Sequence, residues 1–196
     1  LLTKMKARDK TFLATKVRTT GRAEGLAEID ESFKRLQTDR IDLIMVHNLR
    51  DTETQLATLR ELKSAGRIRY LGVTHFRPDS NDDLVEVINR HELDFVQFQY
   101  SLAERSPEER LLKAAADRGA AVMINLPYGR GKLFRAVKGK TLPAWASEFD
   151  ATSWGQFFLK YILSHPAVTC VIPGTDKPRY MVDNLGAARG RLPDAA

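Results

Sequence analysis

The sequence has little of what marks several protein classes. It contains one cysteine, Cys170, so no disulfide can form within the chain, and a reducing compartment is the default expectation. Its longest uninterrupted apolar run, Ala120 to Ile124, holds five residues, whereas a membrane-spanning helix needs about 20. No signal-peptide pattern follows Leu1. We therefore expect a cytoplasmic protein without a membrane partner, and an export signal upstream of Leu1 stays an open alternative.

Excess charge is confined to one end of the chain. The sequence has 31 Lys and Arg against 25 Asp and Glu, a formal net charge of +6. Residues 1–22 contain seven of the basic residues and one acidic residue, Asp9, so the remaining 174 residues are neutral. Phe12 is the only aromatic among those 22 residues, whereas binding of single-stranded nucleic acid favours interleaved aromatics. We expect no nucleic-acid partner.

Short apolar runs alternate with segments of helical periodicity. Six runs predict buried parallel strands, at residues 11–17, 41–47, 69–74, 94–99, 120–125 and 168–172. Between and after them, apolar residues recur every three or four positions, which predicts six amphipathic helices. Strands that alternate with helices indicate an α/β fold with a parallel sheet, either open or closed as a barrel. A closed barrel of eight such units typically needs about 250 residues, more than the 196 present.

The chain is predicted to form a single domain over residues 1–196. No low-complexity run or Gly/Ser linker interrupts it. Ser106-Pro107-Glu108-Glu109 predicts a capping box at the start of one helix. The loosest stretch, Gly129 to Asp150, is long enough to form a functional loop.

Polar side chains stand where the predicted strands end. Lys16 closes the first strand and His47 the second. Because ligands bind at the carboxyl ends of parallel strands, these two side chains could converge if the strands are neighbours. Taken singly, each has an ordinary alternative, a solvated lysine and a hydrogen-bonded structural histidine.

Other chemistries find no support in the sequence. The four histidines lie 28, 16 and 74 residues apart, which matches no compact metal motif, so no metal site is expected. Gly129-Arg-Gly-Lys-Leu133 lacks the magnesium-binding hydroxyl of a phosphate loop. The Gly-x-Ser-x-Gly elbow of hydrolases is also missing.

Several segments together resemble the aldo-keto reductase superfamily: Phe12–Lys16, Ser32–His47, Leu62–Thr74, Asp94–Gln97, Ile172–Thr175 and Asp183–Asn184. The resemblance extends over essentially the whole chain. It implies a (β/α)8 TIM barrel, of which this chain supplies about the last six βα units. It also implies an NAD(P)H-dependent enzyme that reduces a small-molecule aldehyde or ketone by hydride transfer from NADPH, with NADH as the alternative cofactor.

Lys16 and His47 stand where two members of the family's Asp-Tyr-Lys-His catalytic tetrad stand. In such a site an ammonium lowers the pKa of the proton-donating tyrosine, and the histidine orients the carbonyl. The aspartate and the tyrosine would lie before Lys16, where residues 1–15 hold Asp9 in a different context and no tyrosine. The chain is accordingly expected to be amino-terminally incomplete and inactive alone.

The resemblance also implies which residues bind the cofactor. At the nicotinamide end it points to Thr74, His75 and Gln97, with Thr74 in place of a serine and His75 in place of an asparagine. Asn125 stands where the family has an aromatic that stacks on the nicotinamide, so stacking would come from elsewhere, with Tyr100 and Tyr128 as candidates. At the phosphate and adenosine end the implied residues are Gly129, Arg130, Gly131, Lys132, Gly174, Thr175, Lys177, Arg179, Asp183 and Asn184. Among these, Lys177 and Arg179 could bind a 2′-phosphate at a helix start.

Two alternatives to the reductase stay open. One is a non-catalytic cofactor-binding or interaction protein of the same fold. The other is an inactive truncated barrel that completes itself by oligomerising, since six parallel strands leave two unpaired edges. The sequence specifies neither the carbonyl substrate nor the oligomeric state.

Overall fold

The computed structural model describes residues 4–194, in which strands and helices alternate. The elements are β1 Ala14–Val17, α1 Arg22–Leu36, β2 Ile41–His47, α2 Thr52–Ser64, β3 Ile68–Thr74, α3 Asn81–Arg90, β4 Phe95–Gln99, α4 Leu111–Asp117, β5 Ala121–Asn125, α5 Lys132–Ala136, α6 Trp154–Leu163, β6 Val168–Val171 and α7 Pro178–Gly186. The strands belong to one sheet in the order β1 to β6, which confirms the predicted α/β class. Over residues 4–194, no helix has both the length and the apolar character needed to cross a bilayer.

Residue contacts divide the chain into two compact units. The first contains the residues up to Thr74 together with Leu93–Phe95, and the second contains His75–Glu92 together with the residues from Val96 onward. The single domain that the sequence predicts stays a prediction.

The first unit is built on the parallel strands β1, β2 and β3. Lys16 lies opposite Met45, and His47 lies opposite Thr74. Strand β2 is buried along almost its whole length, as expected of a parallel strand whose two faces are both covered. Helices α1 and α2 pack against these strands through buried apolar side chains, which include Ile29, Phe33, Leu56 and Leu59.

Asp42 explains why the first strand begins at Ala14, three residues later than predicted. Its carboxylate accepts the Leu13 N–H at 2.8 Å and guanidinium N–H groups of Arg69 at 3.0 Å and Arg8 at 3.5 Å. Burial opposes the charge of this carboxylate, but the hydrogen bonds and the two guanidinium groups outweigh burial and lower the pKa of Asp42. A side chain therefore takes the Leu13 N–H that a longer strand would pair with backbone.

The second unit contains the parallel pair β5 and β6 and the packed helices α6 and α7. Ser153 caps α6, since its hydroxyl accepts the Gln156 N–H at 3.1 Å. Lys160 on α6 is fully buried, and its Nζ donates to the carbonyl oxygens of Arg189 at 2.5 Å and Arg191 at 2.8 Å. These bonds tie α6 to the chain that follows α7.

The predicted capping box at Ser106 is wrong. Residues Ser106–Glu108 form a 3-10 turn, and α4 begins only at Leu111, without a side-chain cap. The reason is Glu104, whose Oε1 accepts both the Ser106 N–H at 3.1 Å and the Ser106 hydroxyl at 2.6 Å. The hydroxyl is therefore drawn towards Glu104 and away from the helix start.

The loosest predicted stretch is more ordered than its composition indicates. It contains the short helix α5 and a 3-10 helix at Ala144–Phe149. Ala146 and Phe149 are buried with Ala151 in a small apolar cluster. Local hydrophobic contacts therefore hold this segment in place.

Candidate functional site

Lys16 and His47 project from the same face of the sheet in the first unit. Lys16 lies directly opposite Met45 in the parallel register of β1 and β2, so the two side chains point the same way. His47 is two residues beyond Met45, and side chains two apart on a strand share a face. The register thus places on one face the two residues that were predicted to be functional because they stand at the carboxyl ends of strands.

Both residues line one cleft of about 440 Å³. Arg18 and Arg35 add positive charge, and Glu28 and Glu31 of α1 add negative charge. The Glu28 carboxylate is already engaged, because it accepts the Arg18 backbone N–H at 3.0 Å and lies 3.2 Å from the Arg18 Nε. Arg35 is likewise paired with Glu31, at 2.7 Å, so both arginines of the cleft are neutralised by carboxylates.

The Lys16 ammonium is half-buried and makes no hydrogen bond or ion pair within residues 4–194. Burial disfavours the charged form, so the pKa of Lys16 is lowered from its usual value. A half-buried cation without a fixed partner is available to a charge that a ligand brings, and such groups concentrate at functional sites.

The loops that follow β1 and β2 brace each other. Asp51 Oδ2 accepts the Gly21 N–H at 2.8 Å, and Gln55, which is fully buried, donates to the carbonyl oxygens of Gly21 at 2.9 Å and Thr19 at 3.3 Å. Sequence reasoning missed Asp51 and Gln55. Their role is visible only from contacts that join residues 30 to 36 positions apart.

The backbone after His47 is held in an uncommon conformation. Asn48 and Leu49 both have positive φ angles, of 54° and 53°, which is rare for residues other than glycine. The Asn48 N–H donates to the Thr74 carbonyl oxygen at 2.7 Å. This bond links the carboxyl ends of β2 and β3, where His47 and the buried Thr74 stand side by side.

His75, which opens the second unit, uses both ring nitrogens inside its own turn. Its Nδ1 accepts the Arg77 N–H at 3.2 Å, and its Nε2 lies 3.4 Å from the Ser80 hydroxyl. The ring stacks on Phe76, with centroids 5.8 Å apart. Its predicted contact with a carboxamide stays a prediction.

Gln97 on β4 presents a buried acceptor that has no donor. The residue is 4% exposed, and within residues 4–194 no hydrogen bond reaches its Oε1. Asn125 at the end of β5 presents a second such acceptor, its Oδ1. A buried carbonyl oxygen left unpaired costs about 1–3 kcal/mol, and Gln55 Oε1 and Ser101 Oγ are unpaired in the same way. A ligand that donates a hydrogen bond to Gln97 or Asn125 would remove that cost.

A second cleft, of about 510 Å³, lies entirely within the second unit. Four aromatic side chains and several predicted cofactor residues line it: Tyr128, Phe134, Trp154, Tyr180, Gly174, Thr175, Asp183 and Asn184. The structure therefore brings two segments of the predicted phosphate and adenosine site, 174–175 and 183–184, to one cleft.

Positive charge clusters where α7 begins. Thr175 Oγ1 accepts the Lys177 N–H at 3.2 Å and so shapes the turn before the helix. The Lys177 ammonium and the Arg179 guanidinium lie 5.4 Å and 4.9 Å from the centre of the Tyr180 ring. Two exposed cations at a helix start suit a phosphate.

The glycine-flanked loop at 129–131 is built from three consecutive left-handed residues. Gly129, Arg130 and Gly131 have φ angles of 54°, 54° and 80°. This run directs the Arg130 guanidinium over the Phe76 ring, 5.4 Å from its centre. Lys132 begins α5 immediately afterwards.

Asp183 and Asn184 already have partners within the protein. Asp183 accepts from the Ser153 hydroxyl at 2.7 Å and from Gln156 Nε2 at 2.9 Å. Asn184 Oδ1 accepts the Tyr128 hydroxyl at 2.6 Å, and burial together with the Asp183 charge raises the pKa of Tyr128. Both residues therefore anchor α7, and their predicted contact with adenine stays a prediction.

Of the two tyrosines named as stacking candidates, Tyr128 lines the second cleft and Tyr100 lies in a separate buried cluster. The hydroxyls of Tyr100 and Tyr161 donate to one oxygen of Glu108, at 2.7 Å and 2.8 Å. The fork of Arg105 binds the same carboxylate and, against the effect of burial, lowers the pKa of Glu108 to about 2. Tyr100 is thus a structural residue.

Comparison with known proteins relates the chain to one family of enzymes. The model of the Aldo/keto reductase family matches residues 1–196. The aldo-keto reductase YhdN of Bacillus subtilis is 35% identical over 139 residues, which cover 64% of this chain and 41% of that protein. An NADH-specific methylglyoxal reductase of Escherichia coli is 31% identical over 125 residues, 61% of this chain and 37% of that protein. The chain thus matches well under two thirds of the length of these relatives.

A solved structure extends the likeness to the fold. The crystal structure of a thermostable aldo-keto reductase in complex with the inhibitor epalrestat superimposes with a TM-score of 0.75 and 26% sequence identity. The match covers 95% of this chain and 69% of that one.

Proposed function

Because the chain belongs to the aldo/keto reductase family, we propose that it functions in an oxidoreductase that reduces a small-molecule aldehyde or ketone with NADPH. The observation that carries the proposal is the placement of Lys16 and His47 on one face of adjoining strands, beside one cleft. An ammonium and an imidazole in that arrangement suit an oxygen atom on which negative charge develops.

We also propose that the six strands are about the last six units of a (β/α)8 barrel that forms a single domain. The parallel order β1 to β6 supports this, as does the likeness to a solved member of the family. In such barrels the functional residues stand at the carboxyl ends of the strands, where Lys16, His47 and Thr74 are found.

The residues present fit a nicotinamide dinucleotide. The orphaned Gln97 Oε1 is the acceptor that a carboxamide N–H₂ needs. The aromatic walls of the second cleft suit a purine ring, and Lys177 and Arg179 suit a 2′-phosphate. NADPH is therefore the proposed cofactor, and the NADH-specific relative makes NADH the alternative.

When bound, NADPH supplies the hydride that a carbonyl carbon accepts. His47 holds the carbonyl oxygen by a hydrogen bond and so orients the reacting group. The Lys16 ammonium would lower the pKa of a neighbouring acid and stabilise the negative charge left on that acid when its proton passes to the carbonyl oxygen. Within residues 4–194 no tyrosine lines this cleft, so Lys16 and His47 assist the proton transfer and are not themselves assigned the role of the acid.

Binding of the cofactor can be measured through Trp154, which lines the second cleft. We expect NADPH to quench tryptophan emission saturably. We expect 4-nitrobenzaldehyde to accelerate oxidation of NADPH, followed at 340 nm, only when the chain is preceded by the aspartate and the tyrosine that the resemblance implies, and residues 1–196 alone to show no such oxidation. Replacing both Lys177 and Arg179 with alanine should weaken NADPH binding about tenfold or more, because two charge-assisted contacts to the 2′-phosphate are lost. NADH, which lacks that phosphate, should bind the double variant almost as before.

The matched control is the double replacement of Lys138 and Lys140 with alanine, which removes two exposed charges from residues outside the second cleft. It should leave the affinity for NADPH unchanged. Absence of saturable quenching with both dinucleotides would remove the proposed function. An equal loss for NADPH and NADH would remove the assignment of the 2′-phosphate.

A further inference from the structure

Asn125 is the second buried acceptor in the sheet of the second unit that no donor reaches. Its Oδ1 is buried and unpaired within residues 4–194, like the Oε1 of Gln97. The two residues stand on neighbouring strands, β5 and β4. Nothing in the likeness to the family explains Asn125, since the family has an aromatic ring at this position and an asparagine cannot stack as that ring does.

Each of the two acceptors alternates with buried apolar residues along its strand. Side chains alternate along a strand, and the flanking residues Val96, Phe98, Val122 and Ile124 are fully buried apolar residues. Helix α4 packs on β5, so these apolar side chains form the face that the helices cover. Gln97 and Asn125 occupy the positions that alternate with these apolar residues, and Asn125 stands at the carboxyl end of its strand, where parallel α/β proteins bind ligands.

We propose that Asn125 is a positioning residue for the cofactor, whose Oδ1 accepts the second hydrogen of the nicotinamide carboxamide while Gln97 Oε1 accepts the first. This inference rests on the proposed function. The two hydrogen bonds would then fix the rotation of the nicotinamide ring. In this chain they would take the place of an aromatic side chain that restrains the ring by stacking on it.

The spacing of the strands suits such a clamp. A carboxamide N–H₂ directs its two hydrogens about 120° apart, so two acceptors at about 2.9 Å from the nitrogen lie about 5 Å from each other. Neighbouring strands are about 4.7–4.9 Å apart. Two amide side chains on adjacent strands can therefore supply one acceptor to each hydrogen.

The energetic cost of the unpaired acceptors is consistent with a role of Asn125 in binding the cofactor. Without the ligand, each orphaned acceptor is a penalty to the fold, because burial has removed its water and nothing replaces it. An apolar side chain at position 125 would avoid that penalty. The chain instead has an asparagine there, as expected when stability is given up for a ligand contact.

The test compares NADP⁺ with its 3-acetylpyridine analogue, in which a methyl group replaces the carboxamide N–H₂. The analogue offers neither hydrogen, so it cannot report on either acceptor. We expect Asn125→Leu to weaken NADP⁺ binding about tenfold and to change binding of the analogue less than about twofold. Asn125→Asp keeps an acceptor oxygen and should retain most of the affinity for NADP⁺.

Thermal unfolding of the unliganded protein gives an independent readout. Asn125→Leu removes an unpaired buried acceptor, so its melting temperature should equal or exceed that of the wild type, while its affinity for NADP⁺ falls. A variant that merely damages the fold would melt at a lower temperature and would lose NADP⁺ and the analogue equally.

Three results would overturn the inference. Asn125→Leu could bind NADP⁺ as the wild type does, or it could lose both ligands to the same extent, and either would leave Gln97 as the sole acceptor. If the wild type bound neither ligand, the proposed function would fail and the inference with it. That last result is distinguishable, because it concerns the unmodified protein.

Discussion

Replacing Lys16 by methionine, in a protein that also supplies the aspartate and the tyrosine of the tetrad, is expected to lower kcat about 100-fold to 10,000-fold, the range that acid–base assistance contributes, while the affinity for NADPH stays close to that of the wild type. Methionine keeps the length of the side chain and removes its charge, so the cleft shared with His47 loses the group that stabilises a developing oxyanion. Steady-state rates with a saturating aldehyde and a separate fluorescence titration with NADPH measure the two quantities.

The matched control is Lys34→Met, at an exposed position of α1, which should leave kcat unchanged. An unaltered kcat in Lys16→Met would contradict the assignment of Lys16 to the reacting site.

The same variant should not be less stable than the wild type. Burial lowers the pKa of Lys16 in the folded protein, so the folded state holds its proton less tightly than the unfolded chain and stability rises as pH rises towards the unfolded pKa, about 10.4. At pH 7 the wild type therefore bears the cost of a buried charge that methionine avoids. Any gain in melting temperature for Lys16→Met should shrink as the pH approaches 10.

Replacing Asp42 by alanine should have the largest effect on stability, a loss of about 3 kcal/mol in the free energy of unfolding. The substitution leaves the Leu13 N–H without an acceptor and unpairs Arg69 and Arg8, which the buried carboxylate holds at the start of β1 and β2. Urea denaturation, followed by circular dichroism, measures the loss.

The stability that Asp42 contributes should decrease in acid. The folded pKa of Asp42 lies below the ordinary value of 3.8, so its contribution is fully present above about pH 4 and is lost as the pH falls through the folded pKa. The gap between the wild type and Asp42→Ala should be constant from pH 5 to 8 and should close in stronger acid. Glu31→Ala, which removes an exposed pair with Arg35, is the control and should change nothing measurable.

The sequence alone predicts the strands of this protein better than their ends. Strand β2 begins and ends as predicted, at Ile41 and His47, because Ile41 and the apolar run Leu43–Val46 mark the strand in spite of Asp42 between them. The first strand is shorter than predicted because Asp42, 29 residues away, takes the backbone N–H of Leu13. A local pattern carries no sign of such a distant contact.

Local motifs fail where a stronger partner competes. The Ser106 hydroxyl, expected to accept a backbone N–H at a helix start, instead donates to the Glu104 carboxylate, because a hydrogen bond to a charged acceptor is stronger than one between neutral groups. Helix α5 escaped prediction because it is five residues long and lies between glycines, too short for its periodicity to show.

Only part of the candidate site can be predicted from the sequence. That Lys16 and His47 stand at strand ends follows from the sequence, but their shared face depends on the register that sets Lys16 opposite Met45. The bracing of the neighbouring loops by Asp51 and Gln55 is set only by the fold. So is the lack of a donor for Gln97 Oε1, since a glutamine in a strand usually finds a partner.

The most direct test of the account is transfer of deuterium from NADPH that carries deuterium at both C4 positions of the nicotinamide. A protein in which this chain is preceded by the aspartate and the tyrosine that the resemblance implies is incubated with this cofactor and 4-nitrobenzaldehyde, and the product is analysed by mass spectrometry. The account predicts an alcohol with one deuterium on the former carbonyl carbon, formed in proportion to the NADPH consumed. An alcohol without deuterium, or no alcohol at all, would contradict it.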